Sequence, residues 1–199
     1  MFLDVPPPNE ARVALYSRDV ADDGYVANFS LLWAWRPDVF DAFLRLRTLL
    51  TQQAGLSLRE RSVLVCAMAA NLCDSYCALA WGSTLASETN PMTAAAVLQR
   101  QETPDLTVRE RALATWAGQV VREPNAISAE DVDRLRAVGL TDGEVFDATV
   151  FIAFRLAFST VNDALGARPD RQLAAAAPAA VRDAVIYGRS VSEHPSNDG

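Results

Sequence analysis

The chain has 199 residues, half of them hydrophobic, with a formal net charge of -7 and a pI near 4.7. That length supports a sizeable core, and that hydrophobic share separates the chain from disordered ones. The acidic balance, with no run of Lys or Arg, excludes the basic face that nucleic acid requires. No apolar stretch is long and charge-free enough to span a bilayer, so neither nucleic acid nor membrane is expected as a partner. The opening residues, MFLDVPPPNEARVAL, carry neither the basic region nor the long apolar region of a secretory signal. Three cysteines, Cys66, Cys73 and Cys77, are too few for a disulfide framework in a chain of this size. The expectation is a soluble cytoplasmic protein with reduced thiols, in which any disulfide is transient.

Sparse glycine and abundant alanine favour helix over sheet, and the reading along the chain is helical throughout. Pro6-Pro7-Pro8 reads as an extended arm, because proline lacks the N–H that a helix interior uses. A short helix follows from about Asn9. The segment from Tyr25 to Trp35 packs large apolar residues into about three turns. Pro37 suits the first turn of a further helix, in which Val39, Phe40, Phe43, Leu44 and Leu46 form a wide apolar face.

Past Gly55 one start signal recurs. Ser57-Leu58-Arg59-Glu60, Thr107-Val108-Arg109-Glu110 and Thr141-Asp142-Gly143-Glu144 are capping boxes, and Ser128 with Asp131 is a looser fourth. In such a box the first side chain accepts a bond from an orphan N–H, and the acid accepts one from the cap's own N–H. These signals predict helices over 57–71, 73–88, 107–122, 128–138 and 141–165. Pro91 opens another short helix, and the alanine-rich run from Leu173 to Ile186 forms one more before a frayed tail. No segment alternates with period two. The pattern is all-α and single-domain: an arm and short helix over 1–24, a helical body over 25–170, and a last helix and tail over 171–199.

The chemically informative segment is LSLRERSVLVCAMAANLCDSYCALAWGSTL. If the chain breaks at Asn71-Leu72 and a helix opens near Cys73, then Cys73 and Cys77 lie in its first turns. There the helix N-terminus favours a thiolate, so one thiol can attack and the other resolve. If the helix instead runs straight through, Cys66, Cys73, Cys77 and Trp81 form one stripe of the kind that packs a core. Residues four apart on a regular helix hold their Cβ atoms about 5–6 Å apart, whereas a disulfide wants about 3.5–4.5 Å. Oxidation of this pair therefore needs a bend. Cys66, within VLVCAMAA, reads as a core thiol.

The remaining candidates point to bland roles. His194 is the lone histidine and lies in a polar tail. Glu60 can serve as a base, but its place in a capping box gives it a structural task. Asp74 reads as an N-cap or first-turn aspartate. No metal site is expected, since there is no H-x-x-x-H or E-x-x-H pair and the cysteines lack zinc spacing. With no G-x-G-x-x-G or Walker loop, no cofactor is expected either.

The succession NFSLLWAWRPDVFDAFLRLRTLL, GLSLRERSVLV, the cysteine segment, the second capping box and VNDALGARPD resembles the peroxidase-related branch of the carboxymuconolactone-decarboxylase/AhpD-like superfamily. The likeness runs from about Val26 to Asp170. It implies an AhpD-like helical bundle that works as a homo-oligomer, with sites near subunit contacts. It also implies a peroxidase site with a glutamate, a C-x-x-C pair and a histidine four residues further on, the second cysteine attacking. Aligned without gaps, Ser62 stands at the glutamate, Asp74 at the first cysteine, Cys77 at the second and Trp81 at the histidine. Cys77 is in register and Cys73 falls one residue early.

Three readings follow. The first is a divergent alkylhydroperoxidase-type thiol oxidoreductase, in which Cys77 attacks, Cys73 resolves and an external dithiol reduces the pair. The second is a non-redox enzyme on the same scaffold, acting on an apolar or aromatic small molecule in a pocket lined by Ser62, Asp74, Tyr76 and Trp81. The third is a non-catalytic binding or assembly protein with packed cysteines and no cavity at Trp81.

Overall fold

In the computed structural model, which describes residues 1–52 and 55–193, all four capping boxes form and each starts a helix within a residue of its signal. In chain order the helices are α1 (Glu10–Asp23), α2 (Asn28–Trp33), α3 (Pro37–Gln52), α4 (Leu58–Leu72), α5 (Ser75–Glu88), α6 (Pro91–Leu98), α7 (Val108–Arg122), α8 (Ala129–Ala137), α9 (Asp142–Ala164), α10 (Arg171–Ala176) and α11 (Ala179–Ala184). No strand occurs among the described residues, and the all-α expectation holds. No described helix is long and apolar enough to cross a membrane.

The repeated R-E-R openings are also what lock the bundle. The Glu60 carboxylate of the α4 box accepts the Ser57 N–H at 2.8 Å and, through its other oxygen, Arg109 of α7 at 2.6 Å. The Glu110 carboxylate of the α7 box accepts Arg59 of α4 at 2.5 Å. Arg109 reaches a third box as well, with Glu144 of α9 at 2.7 Å. Each acid thus caps its own helix while pairing with an arginine from a neighbour's first turn. The three helix starts are held in register by charge-assisted bonds.

α4 is the axis of the core. Every residue from Ser62 to Ala70 is buried, as expected of a helix that is apolar on all sides. It packs against α5, α6, α7 and α9, with Leu64, Met68, Leu113 and Phe151 fully enclosed. A second, aromatic cluster brings Trp33 of α2 and Phe40 of α3 onto Phe158 of α9. A cavity opens where these two clusters meet.

Three expectations change in detail. The apolar run at Tyr25–Trp35 yields only the six-residue α2, because residues before it are spent on anchoring: the Ala27 N–H donates to the buried Asp19 carboxylate at 3.0 Å. The run from Leu173 to Ile186 is two short helices, because Pro178 lacks an N–H and cannot continue α10. On α3, Phe40 is buried and Phe43 and Leu44 pack on the aromatic cluster, while Val39 and Leu46 face solvent.

Candidate functional site

The break between α4 and α5 decides the fate of the cysteines. α4 ends at Leu72, and Cys73 takes a left-handed conformation at φ 57°, ψ 36°. Its N–H and that of Asp74 both donate to the Ala69 carbonyl. A left-handed cap is ordinarily glycine, since a side chain there costs about 1–2 kcal/mol. Asp74 then caps α5, its carboxylate accepting the Cys77 N–H at 3.0 Å. The helix does not run through, so the four residues 66, 73, 77 and 81 do not form one stripe. Cys77 sits in the first turn of α5 and is buried, whereas Cys73 is exposed at the cap. All three cysteines are free thiols, with Cys66 fully enclosed in the core.

Two groups facing the Cys77 sulfur come from α9, where Arg155 and Ser159 lie four residues apart and so share one face of that helix. Arg155 Nη2 lies 3.0 Å from Cys77 Sγ, and Ser159 Oγ lies 3.3 Å from it. Burial pushes the Cys77 thiol up to about 12, and the nearby Asp74 carboxylate adds to the rise. The Arg155 charge and the Ser159 hydroxyl work against it. Cys66 is raised further by its complete burial. Asp163 is pushed up to about 7 by burial and by the negative charge of Asp74, with Arg189 opposing.

Arg155 itself is only 7% exposed. Its guanidinium carbon lies 5.4 Å from the centre of the Trp81 ring and 5.2 Å from that of Phe158. Beside it opens a cavity of about 190 Å³ lined by Cys77, Arg155, Arg47, Tyr76, Trp81 and a wall of Phe29, Phe40, Phe43 and Phe158, with Leu44 and Ala80 completing it. A cavity of about 150 Å³ is enough to hold benzene. The space therefore fits one substituted ring or a comparably small molecule, delivered against the sulfur.

The residues singled out from the sequence divide in two. Cys77, Tyr76 and Trp81 line the cavity; Cys73, Asp74 and Ser62 do not. The Tyr76 hydroxyl is committed to the buried Asp170 carboxylate, which also accepts the Asn28 N–H at 2.7 Å. Burial and that neighbouring carboxylate raise the Tyr76 pKa well above its ordinary value, so the side chain is a neutral wall. Trp81 forms another wall, edge-on to Phe151 at 6.2 Å. Ser62 turns its hydroxyl onto the Leu58 carbonyl of its own helix at 2.8 Å. Glu60 serves its capping box and Arg109, as read from the sequence. The C-terminal segment straps the α4–α5 break: Ser75 Oγ donates to the Arg189 carbonyl at 2.7 Å, and at Gly188 a Cβ would stand 2.4 Å from the Cys73 carbonyl oxygen. His194 and the residues after it lie outside those described.

Arg155, Arg47 and Ser159 carry no motif and escape a reading by spacing. One signal existed in FIAFRLAFST: a single charged residue, Arg155, among the buried positions of the helix.

No protein-family model matches the chain, and no curated protein matches it. Solved structures do. The chain is similar to an uncharacterized peroxidase-related protein from Ralstonia eutropha JMP134, an alkylhydroperoxidase AhpD core, at 28% identity and a TM-score of 0.75 over 86% of this chain and 93% of that one. It is similar to an uncharacterized peroxidase-related protein from Silicibacter sp. TM1040 at 20% identity and a TM-score of 0.76, with the same two coverages of 86% and 93%. It is also similar in fold to the debrominase Bmp8, solved with 2,3,4-tribromopyrrole, at 18% identity and a TM-score of 0.69 over 93% of this chain and 97% of that one.

Proposed function

We propose that this chain, which has the AhpD-like fold of the carboxymuconolactone-decarboxylase superfamily, is a thiol oxidoreductase in which Cys77 attacks a small, ring-bearing hydroperoxide. The observation that carries this reading is the guanidinium of Arg155, 3.0 Å from the Cys77 sulfur at the wall of a cavity. Without it, burial alone would leave the thiol inert. With it, the thiolate that forms in the encounter with substrate has a fixed positive charge, the Ser159 hydroxyl and the α5 N-terminus to stabilise it.

The step balances as follows. The Cys77 sulfur attacks the outer oxygen of ROOH, the O–O bond breaks, and Cys77–SOH and RO⁻ form. The thiol proton leaves to the Asp74 carboxylate beside the sulfur, and RO⁻ takes a proton from water to give the alcohol. Asp74 thus takes the thiol proton where the family resemblance leads one to seek a glutamate and a histidine at positions 62 and 81. Cys73 lies four residues away at the other side of the α5 cap. Unwinding the first turn of α5 brings its thiolate onto Cys77–SOH, expelling water and closing a disulfide, which an external dithiol then reduces. The strained left-handed backbone of Cys73, where glycine would cost less, supports this role.

The test is hydroperoxide consumption with dithiothreitol as the dithiol. Wild type turns over, Cys77→Ser consumes none, and Cys73→Ser is confined to the slow recycling that direct attack by dithiothreitol allows. Wild-type turnover by Cys77→Ser would exclude Cys77 as the attacking thiol.

The aromatic walls favour a second reading, consistent with the likeness to a debrominase. A halogenated ring would sit against Cys77, its halogen would pass to the sulfur, and the ring carbon would take a proton. A second thiol would then displace halide as the disulfide forms. Halide release from a brominated arene, measured beside hydroperoxide consumption, separates the two. The cavity at Trp81 speaks against a purely structural protein.

A further inference from the structure

The cavity holds more positive charge than thiol chemistry needs. Arg47 and Arg155 both line it, and among the described residues no Asp or Glu does. Among the described residues neither arginine has an ion pair, although six others in the chain do. Arg155 is more than nine-tenths buried, and its Nε has no hydrogen-bond partner among the described residues. Its one polar contact is with the sulfur of a thiol that is protonated at neutral pH and so does not cancel the charge. The rings of Trp81 and Phe158 offset part of the cost of burying a guanidinium, but they give Nε no acceptor. A buried charge is ordinarily paired.

Arg47 approaches from α3 at the rim of the cavity, where it is exposed. Its pKa is lowered by desolvation and by the like charges of Arg155 and Arg18. Two guanidinium groups that repel one another across an aromatic-walled space are what an anion relieves.

Resting on the reading above that the cavity is the substrate site, we propose that its substrate class is the aromatic carboxylates. The carboxylate bridges Arg47 and Arg155, the ring lies among Phe43, Tyr76 and Phe158, and the reacting substituent faces Cys77. Guanidinium groups match a carboxylate's two oxygens by geometry as well as charge.

Benzoate and its neutral isostere benzamide test this by calorimetry on Cys77→Ser, full-length, where binding is read without chemistry. Benzoate binds about tenfold or more tightly than benzamide, the margin expected of a charge-assisted pair. Arg47→Gln, a change at an exposed position, abolishes that preference. Equal binding of benzoate and benzamide, binding of neither, or a benzoate preference that survives Arg47→Gln would overturn the proposal. These outcomes are independent of thiol turnover: an inert Cys77 leaves anion selection standing, and a neutral-selective cavity leaves turnover standing.

Discussion

Replacing Arg155 with methionine separates the electrostatic role of this residue from a packing role. In the native site Arg155 Nη2 donates to Cys77 Sγ over 3.0 Å, inside a wall where Arg155 is 7% exposed. A hydrogen bond to a charged group in such a setting contributes about 1.5–3 kcal/mol. At 1.36 kcal/mol per unit its loss raises the Cys77 pKa by about 1–2 units. The thiolate fraction at any pH below the native value then falls about 10–100-fold. The assay is the rate of alkylation by iodoacetamide as a function of pH, in a Cys73→Ser background, with Cys77 modification followed by peptide mass spectrometry. Methionine fills similar space with a flexible apolar chain and removes an unpaired buried charge, so thermal stability is unchanged or rises. The two readouts separate: reactivity drops at every pH below the native pKa while the melting temperature does not. An unaltered alkylation rate would refute the argument, and so would a rate that falls only together with the fold.

Three further outcomes follow from particular contacts. Cys73→Gly relieves the left-handed backbone at φ 57° and raises stability by up to about 1 kcal/mol in urea titration, while abolishing recycling through Cys73. Asp163 binds its proton more tightly in the folded chain, at about 7 against an ordinary 3.8. Folded chains therefore hold more protons than unfolded ones between those values, and stability falls as pH rises from about 4 through 7. Asp163→Asn removes that decline and, after allowance for solvent access, gains about 1–2 kcal/mol near pH 8, read from melts near pH 5 and pH 8. Arg109→Ala unlinks the α4 and α9 capping boxes, whose acids are 14% and 19% exposed. It costs about 1–3 kcal/mol in urea titration, and the loss narrows in high salt.

What the sequence makes legible follows from how far each determinant reaches. Capping boxes act within four residues, and Ser57, Thr107, Ser128 and Thr141 each place a helix start closely. Asp74 belongs to the same local chemistry and reads correctly as a cap. The alanine-rich C-terminal run shows the opposite weighting: helix propensity summed over many alanines looks persuasive, yet the single Pro178 divides it. The partners of Cys77 lie beyond any local rule. Arg155 and Ser159 meet the sulfur from 78 and 82 residues away, through packing of α9 across the bundle. The family resemblance directs attention to Ser62 and Trp81, because those positions stand where it implies a glutamate and a histidine. Here Ser62 is spent on its own backbone and Trp81 on stacking over Arg155, and the charge comes from a third helix.

The account turns on Cys77 being the thiol that reacts. The most direct measurement is exposure of the reduced protein to one equivalent of cumene hydroperoxide in the presence of dimedone, with the adduct located by peptide mass spectrometry. The account predicts a dimedone-trapped sulfenic acid on Cys77, increased in Cys73→Ser and reduced in Arg155→Met. Modification confined to the exposed Cys73, with Cys77 recovered as a free thiol, would contradict it.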